Sequence, residues 1–364
     1  MDSHVEIARR LLAVGVRLVQ VREKEMADRD LLAQVEEVRT LARHRGALVL
    51  VNDRADVALL SGSGVHLGED DLPAREARRI LPEGTLIGLS THDLEAARRA
   101  FLDDSCDYVA FGPVFTSGTK PARPPLGVEE LARVAAIKTK PLVAIGGLTA
   151  ETLDAAFDAG ADSAAMVGGL LAGGRIEANA RRALDRARRR EIPGRIYLVG
   201  FMGSGKTAVG RQIARRLDRP FVDLDAEIER TSGMTIRALF ESDGEAAFRE
   251  REAVFLEATS ALPDAVVATG GGCYVREGNR RAILRLGSAV FLDVPLATLL
   301  ARLSGKTDRP LLQGEEQAAR LYAEREPFYR MGAIPVALDE ESLEEAADRV
   351  LDALSAGSRH KPVL

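Results

Sequence analysis

The chain of 364 residues carries 50 Lys and Arg against 55 Asp and Glu, a formal net charge of −5, and is 46% hydrophobic and 29% charged. At roughly 100–200 residues per domain, that length divides into two domains more naturally than into one. The composition excludes disordered and fibrous classes, no apolar run approaches the roughly 20 residues of a membrane helix, and the acidic balance argues against a general nucleic-acid binder.

The opening MDSHVEIARRLLAVGVRLVQV lacks the charged leader, apolar core and small-residue cleavage site of an export signal. Cys106 and Cys273, the only two cysteines, stand far apart and in no metal or redox spacing. These features predict a cytoplasmic protein with reduced thiols and neither membrane nor nucleic-acid partners. The run Arg188, Arg189, Arg190 reads as a solvated helix end.

In chain order, IARRLLAVG reads as a first helix. The apolar runs VRLVQV, ALVLV, GVHL, TLIGLS, DYVAFG, PLVAIGG and SAAMV then alternate with amphipathic stretches. Buried strands alternating with helices imply a parallel sheet, because each parallel neighbour needs a crossover. The polar residues of this half cluster just after the strands, where an eight-stranded β/α barrel builds its active site. Only seven strands are counted, so the reading is a TIM-type barrel lacking its first strand, and closure calls for another segment, an upstream start or a second copy of the chain. EANARRALDRARRR reads as the last helix of this half and EIPGR as a linker. Beyond it RIYLVG, PFVDLD, AVVATGGG, SAVFLDV and IPVALD predict a second parallel sheet with helices on both faces. The expected boundaries are 1–190, a linker at 191–195, a second domain at 196–358 and a tail at 359–364.

In the first half, Gln20, Arg22 and Lys24 alternate along VQVREK and would share one face of an extended strand. A buried strand carries three such groups only with a ligand or with partner charges in an ion-pair layer. Asn52 and Asp53 end the next strand and Asp71 the one after, and two carboxylates on adjacent strands suit Mg²⁺. Ser90 closes another strand. GPVFTSGTK, with Thr119 and Lys120, and the glycines Gly146 and Gly147 supply hydroxyls, a cation and N–H groups where such barrels hold phosphate. His66 and His92 stand near strand ends and read as structural residues.

In the second half, GFMGSGKT, from Gly200 to Thr207, fits GxxxxGK[ST] between a strand and a helix. Gly203, Ser204, Gly205 and the start of the helix would cradle nucleotide phosphates, Lys206 would reach the β and γ phosphates, and Thr207 would hold Mg²⁺. Asp223 and Asp225 in FVDLDAEIE are two apart and would lie on the same side of an extended segment, one supporting Mg²⁺ and one accepting from an alcohol; two helix-capping aspartates are the alternative. Arg249, the run Gly270, Gly271, Gly272 and Arg325 add two cations and a second backbone cradle. Together they suit a small hydroxylated acid, because Arg forks pair bidentately with a carboxylate.

This half resembles shikimate kinase from about Arg195 to Asp352, through GFMGSGKT, FVDLDAEIE, TSGMTIRALFESDGEAAFRERE, GGG and the lid-like GKTDRPLL. The resemblance implies transfer of the ATP γ-phosphoryl to the 3-hydroxyl of shikimate. It assigns Asp223 to Mg²⁺, Asp225 to the shikimate hydroxyls, Arg249 (with Glu252 beside it), Gly270, Gly271, Gly272 and Arg325 to shikimate, and Arg309 to the lid. ATP would lie on Gly203, Ser204, Gly205, Lys206, Thr207 and Ala208, with Arg302 against the adenine. Lys206, Asp225 and Arg309 are the implied catalytic residues. A gluconate kinase of the same fold is the runner-up, disfavoured by FRERE, GGG and RPLL.

The first half is similar to thiamine phosphate synthase, within the wider synthase and thiazole tautomerase superfamily, through VQVREK, VNDRADVAL, GVHLGEDDL, GLSTH, GPVFTSGTKP with PPLG, and IGGLT. The resemblance implies that Gln20, Arg22 and Lys24 bind the pyrimidine pyrophosphate, that Asp53 and Asp71 hold Mg²⁺, that Asn52 and Ser90 contact the pyrimidine and pyrophosphate, and that Thr119, Lys120 and Gly147 bind phosphate. The sequence departs from the family at Ser117, usually Thr, at Glu69, commonly Gln, and at Gly168, where a Ser contacts the thiazole phosphate. The partners so implied are ATP, shikimate and thiamine precursors, with Mg²⁺ in both halves and a second copy of the chain as a candidate neighbour through the barrel. The rival reading is a monofunctional kinase carrying the barrel as a ligand-binding or structural module.

Overall fold

The computed structural model describes residues 3–116, 124–303 and 315–359, with side chains of the last helix described to 356. The chain divides into two compact units, Met1–Ala187 and Arg188–Leu364.

Among its described residues the first unit has the helix His4–Ala13 followed by seven strands: β1 (Leu18–Val21), β2 (Leu48–Asn52), β3 (Gly64–Leu67), β4 (Ile87–Thr91), β5 (Tyr108–Phe111), β6 (Leu142–Ile145) and β7 (Ser163–Ala165). They form one curled parallel sheet in sequence order. All seven expected runs are strands; among the described residues β7 and β1 share no ladder. Helices pack on one face of the sheet. In Asp28–Arg43, Leu31, Val35, Val38 and Ala42 recur at helical spacing and are buried with Val19, Val21, Val49 and Val51 of the strands. The opposite face holds a smaller cluster of Leu50, Tyr108 and Ala110, while Leu18 and Leu48, paired across β1 and β2, are 44% and 57% exposed.

The second unit has β8 (Arg195–Val199), β9 (Phe221–Asp223), β10 (Val266–Ala268), β11 (Gly287–Asp293) and β12 (Ile334–Ala337), all parallel in the order β12-β11-β8-β10-β9. These are the five strands read from the sequence. The chain leaves β8, passes over β10 to β9, and returns to fill the gap. The C-terminal ends of β8, β10 and β9 therefore lie side by side, which is where open α/β sheets bind ligands.

The arginine run does end a helix, Ile176–Glu191, and Arg190 is exposed there, but Arg188 is not solvated. The Arg188 side chain is 5% exposed and pairs with Asp352 at 2.5 Å and Asp348 at 3.4 Å, and Arg216 meets Asp348 at 2.8 Å. Asp348 and Asp352 are four apart on the helix Leu343–Arg359 and so present both carboxylates on one face, a match invisible in a run of like charge. Both cysteines are buried and free. Among the described residues no helix is long and apolar enough to cross a membrane.

Two candidate active sites

In the second unit the loop 200–205 joins β8 to the helix Lys206–Leu217. Gly200, Gly203 and Gly205 all have positive φ, so the loop curls around its own centre. Lys206 Nζ donates to the carbonyls of Gly200 and Phe201 at 2.8 Å each, an arrangement that holds the ammonium on the rim of the loop. The Ser204 hydroxyl is buried and, among the described residues, has no hydrogen-bond partner. Thr207 Oγ1 donates to Asp223 Oδ2 at 2.7 Å. Ala208 is exposed in the first turn of the same helix.

Asp223 and Asp225 do not share one extended segment. The strand stops at Asp223, whose side chain caps the helix Leu224–Ser232 by accepting from the Ala226 N–H, and Asp225 lies in that helix's first turn. The helical turn sends the two carboxylates to different neighbours. Asp223 meets Thr207 at the phosphate loop, whereas Asp225 comes beside Gly270, where a methyl group would sit 2.7 Å from Asp225 Oδ1 and 2.6 Å from Glu252 Oε1.

The cations close the same space. Arg249 donates to Glu252 Oε2 at 3.1 Å and to Glu245 at 3.0 Å, and its guanidinium lies 5.3 Å from the Phe248 ring centre. It reaches over Gly272, where a Cβ would come within 2.5 Å of the guanidinium; only glycine leaves that room. Arg325 is 9% exposed, beside Gly271, whose carbonyl accepts from the Tyr329 hydroxyl. Arg302 donates to the Asp339 carbonyl at 2.6 Å. Arg309 lies outside the described residues.

Glu252 is fully buried, and among the described residues its Oε1 has no hydrogen-bond partner. Burial pushes its carboxyl from 4.5 up to about 7, with Arg249 opposing and Asp225 adding to the rise. A folded-state value above the unfolded one gives stabilisation that is complete below about pH 4.5 and lost as pH rises through about 7, worth about 3 kcal/mol over that window. Urea unfolding of the second unit is accordingly expected to show lower stability at pH 8 than at pH 5, and Glu252→Gln to flatten that slope; equal slopes in both proteins would refute the assignment.

In the first unit, Gln20 is exposed on β1, which ends at Val21, so Arg22 and Lys24 lie beyond the strand and the three do not form one strand face. The backbone turns away after Val21, and Lys24 Nζ reaches Asp53 Oδ2 at 3.2 Å. Asp53, with φ of 67°, follows Asn52 at the end of β2, and its carboxylate lies close enough to Asp71 to act on that residue's carboxyl. Asp71 Oδ2 also accepts from the Gly68 N–H at 2.6 Å. Burial raises the Asp71 carboxyl and the Asp53 charge adds to it, while the Gly68 N–H and Lys24 oppose. Two carboxylates and a lysine thus meet at the ends of β2 and β3. Among the described residues no larger group of His, Cys, Asp and Glu could hold a metal.

Ser90 stands near the end of β4 and is hydrogen-bonded to His66 at 2.8 Å. The His66 ring is in turn bonded to Tyr108, so the reading of His66 as satisfied holds, in a polar chain that sequence spacing does not announce. His92 bonds the Gly112 carbonyl at 2.5 Å. Gly147 follows β6, and Gly168 begins the short helix Gly168–Leu171. Ser117, Thr119 and Lys120 lie outside the described residues.

A family model for thiamine monophosphate synthase matches residues 1–170, and one for shikimate kinase matches residues 202–355. The thiamine-phosphate synthase of Methanoculleus marisnigri is 42% identical over 195 residues, covering 53% of this chain and 92% of that protein. The shikimate kinase of Neisseria gonorrhoeae is 45% identical over 143 residues, covering 38% of this chain and 84% of its own length. Among solved structures, the shikimate kinase from Acinetobacter baumannii in complex with shikimate matches with 38% identity and a TM-score of 0.43, over 45% of this chain and 94% of that one. With nearly all of one relative and most of the other spanned at over 40% identity, the chain belongs to two families, thiamine-phosphate synthase in its first half and shikimate kinase in its second.

Proposed function

We propose that the chain is a bifunctional enzyme: its second unit phosphorylates shikimate at the 3-hydroxyl with ATP, and its first unit joins hydroxymethylpyrimidine pyrophosphate to thiazole phosphate. The observation that carries the kinase reading is the meeting of Asp225, Glu252, Arg249 and Arg325 around Gly270–Gly272, one strand away from the phosphate loop. A carboxylate substrate would pair with the two guanidiniums while its hydroxyls face Asp225.

In that reading Lys206 leaves the loop carbonyls for the β and γ phosphates, and the loop N–H groups hold the phosphate oxygens. Asp225 orients the acceptor hydroxyl and takes its proton as the O–P bond forms and ADP departs. Thr207 and Asp223 already meet as an all-oxygen pair, a donor set that fits Mg²⁺ and keeps room for waters and phosphate. The ion, when bound, would neutralise charge on the phosphates. Arg302 remains the candidate for the adenine, Ala208 for the ATP at the start of the helix, and Arg309 for the lid. Mg²⁺-ATP with and without shikimate gives the direct test: ADP release that does not depend on shikimate would remove the kinase reading.

For the first unit, Asp53 and Asp71 fit Mg²⁺ for the same reason, two hard carboxylates with a nearby lysine to meet substrate phosphate. Gln20, Arg22, Lys24, Asn52, Ser90, Thr119, Lys120 and Gly147 are proposed to bind the two phosphorylated substrates. Pyrophosphate leaves with the C–O bonding pair, and the thiazole nitrogen supplies the pair for the new C–N bond.

Gly270→Ala is expected to lower kcat/KM for shikimate by about 100-fold, since the added methyl lands within 2.7 Å of both carboxylates. The KM for ATP should stay unchanged. Steady-state kinetics with each substrate varied checks both halves of that statement.

A further inference from the structure

The face of the first unit's sheet opposite its helices carries a chain of three polar side chains from adjacent strands. His66 of β3 is bonded through Nδ1 to the Tyr108 hydroxyl of β5 at 2.7 Å and through Nε2 to Ser90 Oγ of β4 at 2.8 Å. His66 and Tyr108 are 7% and 9% exposed, and their rings stack with centroids 5.6 Å apart. Gly88 stands in register between them, opposite His66 on one side and Tyr108 on the other. A Cβ there would fall 2.0 Å from the phenol ring, so its absence is what lets the tyrosine reach across β4 to the imidazole.

The direction of the hydrogens follows from the surroundings. Tyr108 packs with Leu50 and Ala110 and with the half-buried Leu86, Val143 and Ile145. Among the described residues, its hydroxyl is hydrogen-bonded to His66 Nδ1. Burial raises the phenol well above its ordinary value, so it keeps its hydrogen. A buried O–H that is not donated is costly, so Tyr108 donates and Nδ1 accepts. The imidazole hydrogen is then on Nε2 and is donated to Ser90. Having accepted one hydrogen, the Ser90 oxygen directs its own elsewhere.

We propose that His66 is a positioning residue, held by Tyr108 in the Nε2–H tautomer so that Ser90 is fixed as a hydrogen donor to the pyrophosphate. The inference deepens the reading of Ser90 as a pyrophosphate contact and rests on it. In the reverse polarity Ser90 would give its hydrogen to the ring and offer an anion only lone pairs.

The test uses the full chain with Mg²⁺ pyrophosphate as probe. Nitrogen NMR of the ¹⁵N-histidine-labelled protein should show His66 protonated at Nε2 alone, and Tyr108→Phe should bring a measurable Nδ1–H population. A wild-type His66 protonated at Nδ1 would overturn the proposal, whatever the enzyme's activity. By calorimetry, Ser90→Ala and His66→Phe should each weaken pyrophosphate about tenfold and Tyr108→Phe about threefold. The double variant His66→Phe with Ser90→Ala should bind no more weakly than Ser90→Ala alone. Additive losses would make His66 merely structural and refute its action through Ser90. If Nε2 protonation and these losses are seen while no thiamine phosphate forms, the synthase reading fails and the positioning role stands. Unchanged binding in Ser90→Ala overturns both the contact and the proposal.

Discussion

Asp225→Asn is expected to lower shikimate-dependent ADP release by about 10²- to 10⁴-fold, the range lost when a positioned general base is removed. The amide keeps the size of the carboxylate and can still sit beside Gly270, so shikimate and ATP should still bind. What it loses is the capacity to accept the hydroxyl proton, and its N–H₂ group would face the acceptor the wrong way round. The neighbouring carboxyl makes this sharper. Glu252 lies at the same space beside Gly270, and burial biases it toward the protonated form up to about pH 7. A variant that kept more than about a tenth of wild-type turnover would take proton acceptance away from Asp225, and a pH profile in Glu252→Gln would then be the next place to look.

Replacing Asp53 or Asp71 with Ala is expected to reduce thiamine phosphate formation by at least about 100-fold, since either change removes a carboxylate proposed to hold Mg²⁺ at the leaving pyrophosphate. The two variants should differ in the free protein. Asp53→Ala frees Lys24, now paired with it at 3.2 Å, and relieves the charge that helps raise Asp71. Asp71→Ala leaves the Gly68 N–H without its side-chain acceptor. Shikimate-dependent ADP release by the same preparations serves as the internal control for folding of the chain. Full synthase activity in either variant would end the metal assignment. No synthase activity in the wild type, beside a working kinase, would favour the barrel as a binding module.

Much of this was legible in the sequence because it is local. Alternation of Val, Ile and Leu runs with amphipathic stretches marked twelve strands correctly, and a glycine-rich turn between strand and helix marked the phosphate loop. FRERE placed Arg249 and Glu252 three apart on a helix, and they do pair. Less legible was anything set by where a strand stops. VQVREK reads as one alternating strand, yet β1 ends at Val21, and the DLD of β9 passes into a helix after its first aspartate. Periodicity measures a preference over several residues and does not fix the residue at which a cap takes over.

The sequence alone determined the two parallel sheets, the class of each half and the residue types available for phosphate, carboxylate and Mg²⁺. Tertiary structure alone decided which of those groups meet. It separated Asp223 from Asp225, buried Arg188 against Asp348 and Asp352, and left Glu252 Oε1, among the described residues, without a partner beside Asp225. It also joined His66, Ser90 and Tyr108 across three strands. Patterning and motifs are properties of neighbours along the chain, whereas desolvation and hydrogen-bond direction depend on partners far apart in sequence, and those forces tune the chemistry of a site.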